Sequence, residues 1–203
     1  MVAPAKASGA RLGRKLGSAP NNGGLSRYPV SNGYASNIFS GDLVRLVNGY
    51  VVRAAAADRA HGVFMGCYYI DSNGKFKHSS YFPSGTANLN SEVIEEGFTT
   101  PIALVADDPN NTYVMWHDSS VSIESGKVGL YFDLSASSGD QGSTVNGQSR
   151  MFITGAGATA AANLPLQMLG IYNVVDNDRN AASVAVEVRL NPQMYAASAD
   201  ADD

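Results

Sequence analysis

The apolar residues of this chain come in short runs separated by Gly, Asn, Asp and Ser. The clearest lie at Leu43–Val47, 50–52 and 63–70, each rich in β-branched or aromatic residues and bounded by turn formers. Asn48-Gly49 separates the first two. A two-residue hairpin needs positive φ at both turn positions, and Asn and Gly adopt it at little cost. A helix would need apolar residues recurring over ten or so positions with no Asn-Gly in their middle. Leu43 and Val44 break the strict alternation of a strand with one wet face, so a bulge or burial on both faces is expected there.

The same pattern continues downstream. Asp71-Ser72-Asn73-Gly74 separates 63–70 from 75–82 as a second hairpin, and 83–97 forms a longer connection. Asp107-Asp108-Pro109-Asn110-Asn111 joins strands at 102–105 and 113–116, and further strands are predicted at 127–134, 151–154, 166–175 and Val184–Leu190. The Gly/Ser-rich stretch 135–147 reads as a loop, while 54–60 and 156–163 each have room for a turn or two of helix. Turn signals recur about every eight to twelve residues, the spacing of a sandwich or barrel, with neither alternating βα units nor a repeat of fixed period. The predicted fold is all-β: one antiparallel β-sandwich or barrel, jelly-roll-like, over residues 28–195. An extended N-terminal arm (1–27) precedes it and an acidic C-terminal tail (196–203) follows.

Charge sharpens this division. The 203 residues are 44% hydrophobic and 16% charged with a net charge of −4; the usual charged share is about 25%. The first 27 residues carry Lys6, Arg11, Arg14, Lys15 and Arg27 and no acid; the first acid is Asp42. The remainder therefore sets all 18 acids against nine bases, 14 less the five in the arm. Such a segment has too little apolar surface to offset its own ordering entropy. It is either a floppy terminus or an arm that orders against an acidic or grooved partner, with leucines such as Leu12 and Leu16 as anchors. The acidic balance of the body disfavours nucleic acid as a partner. No stretch approaches the ~20 apolar residues of a membrane span. The basic N-terminus lacks the apolar core of a secretory signal. A soluble chain made in a cytoplasm, with no membrane partner, is the expectation. Cys67 stands alone, so no intrachain disulfide or Cys-based zinc site can form, and it is expected as a buried strand thiol.

Candidate chemistry is thin. Gly155-Ala156-Gly157-Ala158-Thr159-Ala160, with Asp176 about twenty residues on, matches a dinucleotide fingerprint, but Pro165 cuts the helix it needs and no βαβ unit surrounds it. Asp176-x-Asp178-x-Asn180 with Glu187 mimics a calcium loop, yet Ala181 stands where the turn needs Gly; an Asx-rich turn between strands accounts for it more simply. His61, His78 and His117 lie in different segments without the pairing of common zinc motifs. His117-Asp118-Ser119 invites a triad, but no Gly-x-Ser-x-Gly elbow is present. Glu92, Glu95 and Glu96 suit a solvated face better than a glycosidase pair. No enzyme, cofactor or metal is predicted. The aromatics Tyr68, Tyr69, Tyr81 and Trp116 divide between ordinary core, a protein interface and a sugar platform, and one of Tyr68 and Tyr69 must face outward.

Three stretches carry a resemblance: 37–71 with its Gly41-Asp42 strand entry and Gly62-Val63-Phe64-Met65-Gly66 strand, 103–115 with its Asp-Asp-Pro turn, and 164–190 with two strands about a polar loop. In this order they resemble the decoration, or cement, proteins of tailed bacteriophage capsids, over roughly residues 28–195. The resemblance implies a structural virion protein, made in the bacterial host cytoplasm and located on the capsid surface. It would bind the major capsid protein and tie neighbouring capsid subunits together, often as a homotrimer. On that reading Lys6, Arg11, Leu12, Arg14, Lys15, Leu16 and Arg27 are the arm's partner contacts. The alternative is a carbohydrate-binding or adhesion module on a β-sandwich.

Overall fold

The computed structural model describes residues 8–17, 23–71, 73–84, 100–118, 123, 125–135, 142–158, 164–175, 177–178 and 183–191. Within them lie β1 (Arg11–Lys15), β2 (Ser26–Pro29), β3 (Ile38–Phe39), β4 (Leu43–Val47), β5 (Tyr50–Arg53), β6 (Gly62–Ile70) and β7 (Phe76–Ser79). After these come β8 (Tyr81–Phe82), β9 (Ile102–Ala106), β10 (Asn111–His117), β11 (Tyr131–Leu134), β12 (Ile153–Ala158), β13 (Leu166–Ile171) and β14 (Val184–Leu190). The one helical element among the described residues is the 3-10 turn Ser125–Lys127. The all-β architecture read from the turn spacing is the one the chain adopts.

Five strands close into a barrel. β10 pairs with β14, β14 with β13, β13 with β11 and β11 with β12, all antiparallel; β12 returns to β10 in parallel, at His117 and Ile153. The alternation of β14 shows what drives closure: Val184, Val186, Val188 and Leu190 are buried in the barrel core, while Glu187 and Arg189 between them are only partly buried. Tyr113, Met115, Phe132, Leu134, Ile153, Leu166 and Met168 complete the filling.

The second sheet runs β2-β9-β6-β4-β5, with β7 also paired to β6. Its two faces serve two cores. Leu43, Val63 and Ala106 belong to the barrel core, whereas their neighbours Val44, Phe64 and Val105 belong to a second core with Val30, Ile38, Val51, Cys67, Phe82 and Ala103. The broken alternation at Leu43-Val44 is therefore burial on both faces; the bulge lies instead in β6, between Phe64 and Gly66 opposite β9. Cys67 is buried, and burial pushes its thiol up to about 12.

Asp42, at the entry to β4, ties the layers together. Its carboxylate accepts from the Phe39 amide (2.8 Å) and the Ser149 hydroxyl (2.6 Å) and pairs with Arg53 at 3.0 Å. The Ser149 hydroxyl in turn accepts from the Met151 amide.

The β4–β5 hairpin forms as its turn residues require: Val47 faces Tyr50, with φ of 50° at Asn48 and 82° at Gly49. A Cβ on Gly49 would meet no atom within 4 Å, so substitution there costs backbone strain alone. Gly49→Val is expected to lower stability by about 1–3 kcal/mol; an unchanged denaturation midpoint would show that the turn tolerates negative φ.

Several boundaries differ from the sequence reading. The run 75–82 is two strands, because after Ser79 the chain leaves β6 and pairs Tyr81 and Phe82 with β3. Residues 156–158 extend β12 and do not begin a helix, and 54–60 is a turn with Ala57 at φ 60°. The strand expected over 127–134 begins at Tyr131, after the 3-10 turn, and the one over 166–175 stops at Ile171. The described residues of the first 27, 8–17 and 23–27, are less separate than their composition suggests. Residues 11–15 are extended, but as β1 they are docked antiparallel along the first half of β10, with Ala10 buried in the barrel core. β2 likewise straddles the boundary drawn at residue 28.

Candidate functional site

Two basic residues of the arm, Arg14 and Lys15, meet acids of their own chain. Arg14 reaches across β10 and grips Glu187 of β14 with both Nε (2.7 Å) and Nη2 (3.2 Å), and Lys15 Nζ lies 2.6 Å from Asp108. Leu12 packs against the barrel core, and the Leu16 amide donates to the Asn110 carbonyl. Arg11 is exposed, Arg27 sits on β2 in the other sheet, and Lys6 lies outside the described residues. The hydrogen bonds from Arg14 and Lys15 hold the Glu187 and Asp108 carboxyls below their ordinary values. A depressed carboxyl stabilises the fold above its unfolded pKa of about 4, and that stabilisation is lost as pH falls through the folded value. The amides of Leu12 and Leu16 are thus expected to lose hydrogen-exchange protection on acidification from about pH 4 downwards, before those of Val186 and Val188. Simultaneous loss at both places would mean that β1 is an integral part of the barrel's folding unit.

The aromatics divide by face. Tyr69 is turned into the second core, edge-on to Phe82 at 6.3 Å, and Tyr81 stacks on Phe39 at 5.7 Å. Tyr68 faces the other way, between Phe76 (5.9 Å) and the Arg27 guanidinium (5.9 Å), and Phe76 is 62% exposed. Trp116 is partly buried on β10, opposite Ala185.

His117 is enclosed at the end of β10. It is 1% exposed, with Nε2–H donating to the Gly155 carbonyl (2.9 Å), Nδ1 3.5 Å from Asp118 and its ring edge-on to Phe132. Burial lowers its pKa. Thr154 donates to the other Asp118 oxygen, and the Ser119 of the sequence motif lies outside the described residues. A ring so enclosed ties β10 to β12. The glycines of the dinucleotide-like stretch, Gly155 and Gly157, sit in β12, so no helix N-terminus is offered to a phosphate there. Glu92, Glu95, Glu96, Asp176 and Asn180 lie outside the described residues.

A polar group invisible in the sequence assembles at the edge of the second sheet. Tyr28 Oη donates to Asp107 Oδ2 (2.6 Å), Ser26 Oγ donates to Asp107 Oδ1 (2.8 Å), and His61 Nε2 lies 2.9 Å from Tyr28 Oη. His61 and Asp107 are each partly exposed, and the two rings meet edge-on at 5.0 Å. Partial burial lowers the His61 pKa; burial first and Asp107 second raise that of Tyr28. At neutral pH His61 is therefore an uncharged ring beside a phenol and a carboxylate.

The turn after β13 presents apolar side chains to solvent. Tyr172, Val174 and Val175 are all exposed, Val175 fully. The turn is held from within by Asn177, whose amide nitrogen donates to the Tyr172 and Ala185 carbonyls (2.6 and 2.8 Å) and whose oxygen accepts from the Ala185 amide. This is the Asx-type bracing expected of the polar loop, with Asn177 supplying it and Asp178 exposed. No family model, curated protein or solved structure matches the chain.

Proposed function

We propose that the protein is a structural virion component that binds the outer surface of a tailed-phage capsid and bridges neighbouring major-capsid subunits. The observation that carries this reading is the braced turn after β13, which lies in the stretch 164–190 that resembles the cement proteins. Exposed apolar residues on a fixed turn mark a contact surface, because they dock without paying much ordering entropy. Binding to the assembled lattice and not to separate subunits shifts the equilibrium towards the shell. A homotrimer would multiply weak contacts through effective concentration. Co-sedimentation with expanded capsids tests the reading. Val174→Ser with Val175→Ser is expected to weaken attachment about tenfold or more, given roughly 1.5–3 kcal/mol per fully buried aliphatic side chain. The melting temperature should hold, since both positions are exposed. Undiminished attachment would remove the turn from the contact. The exposed Phe76 ring beside Tyr68, which also carries the Arg27 guanidinium over its ring, favours the carbohydrate reading as a second reading, and a glycan array separates the two.

A further inference from the structure

The group at Tyr28, His61 and Asp107 brings three atoms able to ligate a metal within 3.9 Å of one another. We propose that Tyr28 Oη, His61 Nε2 and Asp107 Oδ2 form a metal-ion site suited to copper(II).

The separations are 2.6 Å from Tyr28 Oη to Asp107 Oδ2, 2.9 Å from Tyr28 Oη to His61 Nε2 and 3.9 Å from His61 Nε2 to Asp107 Oδ2. These lengths make a right triangle with the phenol oxygen at the corner. The midpoint of the 3.9 Å side is therefore about 2 Å from all three donors, the usual distance for first-row metals to nitrogen and oxygen. An ion there has the imidazole and carboxylate opposite one another and the phenolate at right angles to both, which leaves a fourth position in the same plane. A planar set of nitrogen and oxygen donors is the arrangement copper(II) prefers, and copper(II) heads the divalent affinity order.

The surroundings fit. Ser26 holds the second Asp107 oxygen at 2.8 Å, the outer-sphere support that orients a ligating carboxylate. His61 and Asp107 are both partly exposed. Among the described residues no three His, Cys, Asp or Glu side chains converge on a metal position; the third donor here is a tyrosine. Loading balances simply. Tyr28, whose proton is donated to Asp107, gives that proton up to solvent; the His61 ring proton, held on Nε2 against the phenol oxygen, is exchanged through solvent for one on Nδ1; and no electron moves. The bound ion would link β2, the turn after β9 and the connector before β6, so its binding energy would appear as folding stability. None of this depends on the capsid reading.

The experiment is a titration of the full chain with copper(II) sulfate, in a weak buffer with glycine as competitor for adventitious surface sites. One equivalent should bind, with a phenolate-to-copper charge-transfer band in the visible, release of a proton and a raised melting temperature. Tyr28→Phe should abolish the band, His61→Gln should weaken binding about a hundredfold, and Ser26→Ala should weaken it about tenfold, within the range seen when supporting hydrogen bonds are removed. Zinc(II) should bind more weakly than copper(II). A wild-type protein that takes up copper without the charge-transfer band would overturn the site, as would copper affinity unchanged in His61→Gln. The band is read on the unaltered chain, so the outcome does not depend on the variants folding.

Discussion

Asp42→Ala is expected to destabilise the protein by about 3–5 kcal/mol, the cost of removing one partner from a buried ion pair. The carboxylate is fully buried, and burial pushes its pKa above the ordinary value against the opposing pull of Arg53, the Phe39 amide and Ser149. Alanine would leave the Phe39 amide and the Ser149 hydroxyl without their acceptor. It would also strand Arg53, whose Nε and Nη2 are buried and whose charge this carboxylate balances at 3.0 Å. For a chain of this size the loss corresponds to a fall in melting temperature of roughly 6–20 °C. Asp42→Asn should fall between wild type and alanine, because an amide can still accept one of the two hydrogen bonds. Adding Arg53→Met to Asp42→Ala should recover part of the loss by removing the stranded charge. A double variant no more stable than Asp42→Ala would show that the orphaned arginine is not what makes the alanine costly.

Phe132→Ala should cost a similar amount, about 3–5 kcal/mol, for a different reason. The ring is 1% exposed inside the barrel and meets the edge of His117 at 5.6 Å. It also lies against the bare backbone of Gly157: a Cβ added there would sit 2.7 Å from Phe132 Cζ. Alanine therefore opens a cavity that its neighbours cannot fill, since Gly157 has φ of 78° and no side chain to offer. It also leaves the buried His117 facing empty space. The single tryptophan, Trp116, adjoins His117 on β10 and reports barrel unfolding by fluorescence. The urea midpoint should fall while the dependence of stability on urea stays the same. A loss below about 1 kcal/mol would mean that the barrel end repacks freely.

The parts of the fold that were legible were those specified by neighbours in sequence. Asn48-Gly49 announced its hairpin because the turn needs two residues that tolerate positive φ, and no distant partner is involved. The run Val184–Leu190 was found with its observed ends because alternation and flanking polar residues are local properties. β1 escaped for the opposite reason. Arg11–Lys15 has one leucine and three basic residues, and what makes it a strand is the open edge of β10 and Glu187, 173 positions from Arg14. The basic composition leaves open what the arm meets; that Arg14 and Lys15 meet acids of the same chain could not be read from it.

The candidate sites follow the same division. The sequence alone established an all-β chain, a basic start on an acidic body, a lone buried cysteine and a polar Asp/Asn stretch ahead of β14, because each is a matter of composition, backbone preference or period. It could not say which faces are covered, and so Leu43 and Val44 looked like an irregularity when both are buried, in different cores. Nor could it bring together Tyr28, His61 and Asp107, which stand on β2, ahead of β6 and after β9. Those three lie 33 and 79 residues from one another along the chain, counted from Tyr28. Which strand edges meet is settled by the simultaneous burial of two cores. That depends on all the strands at once, so only the tertiary structure decided it.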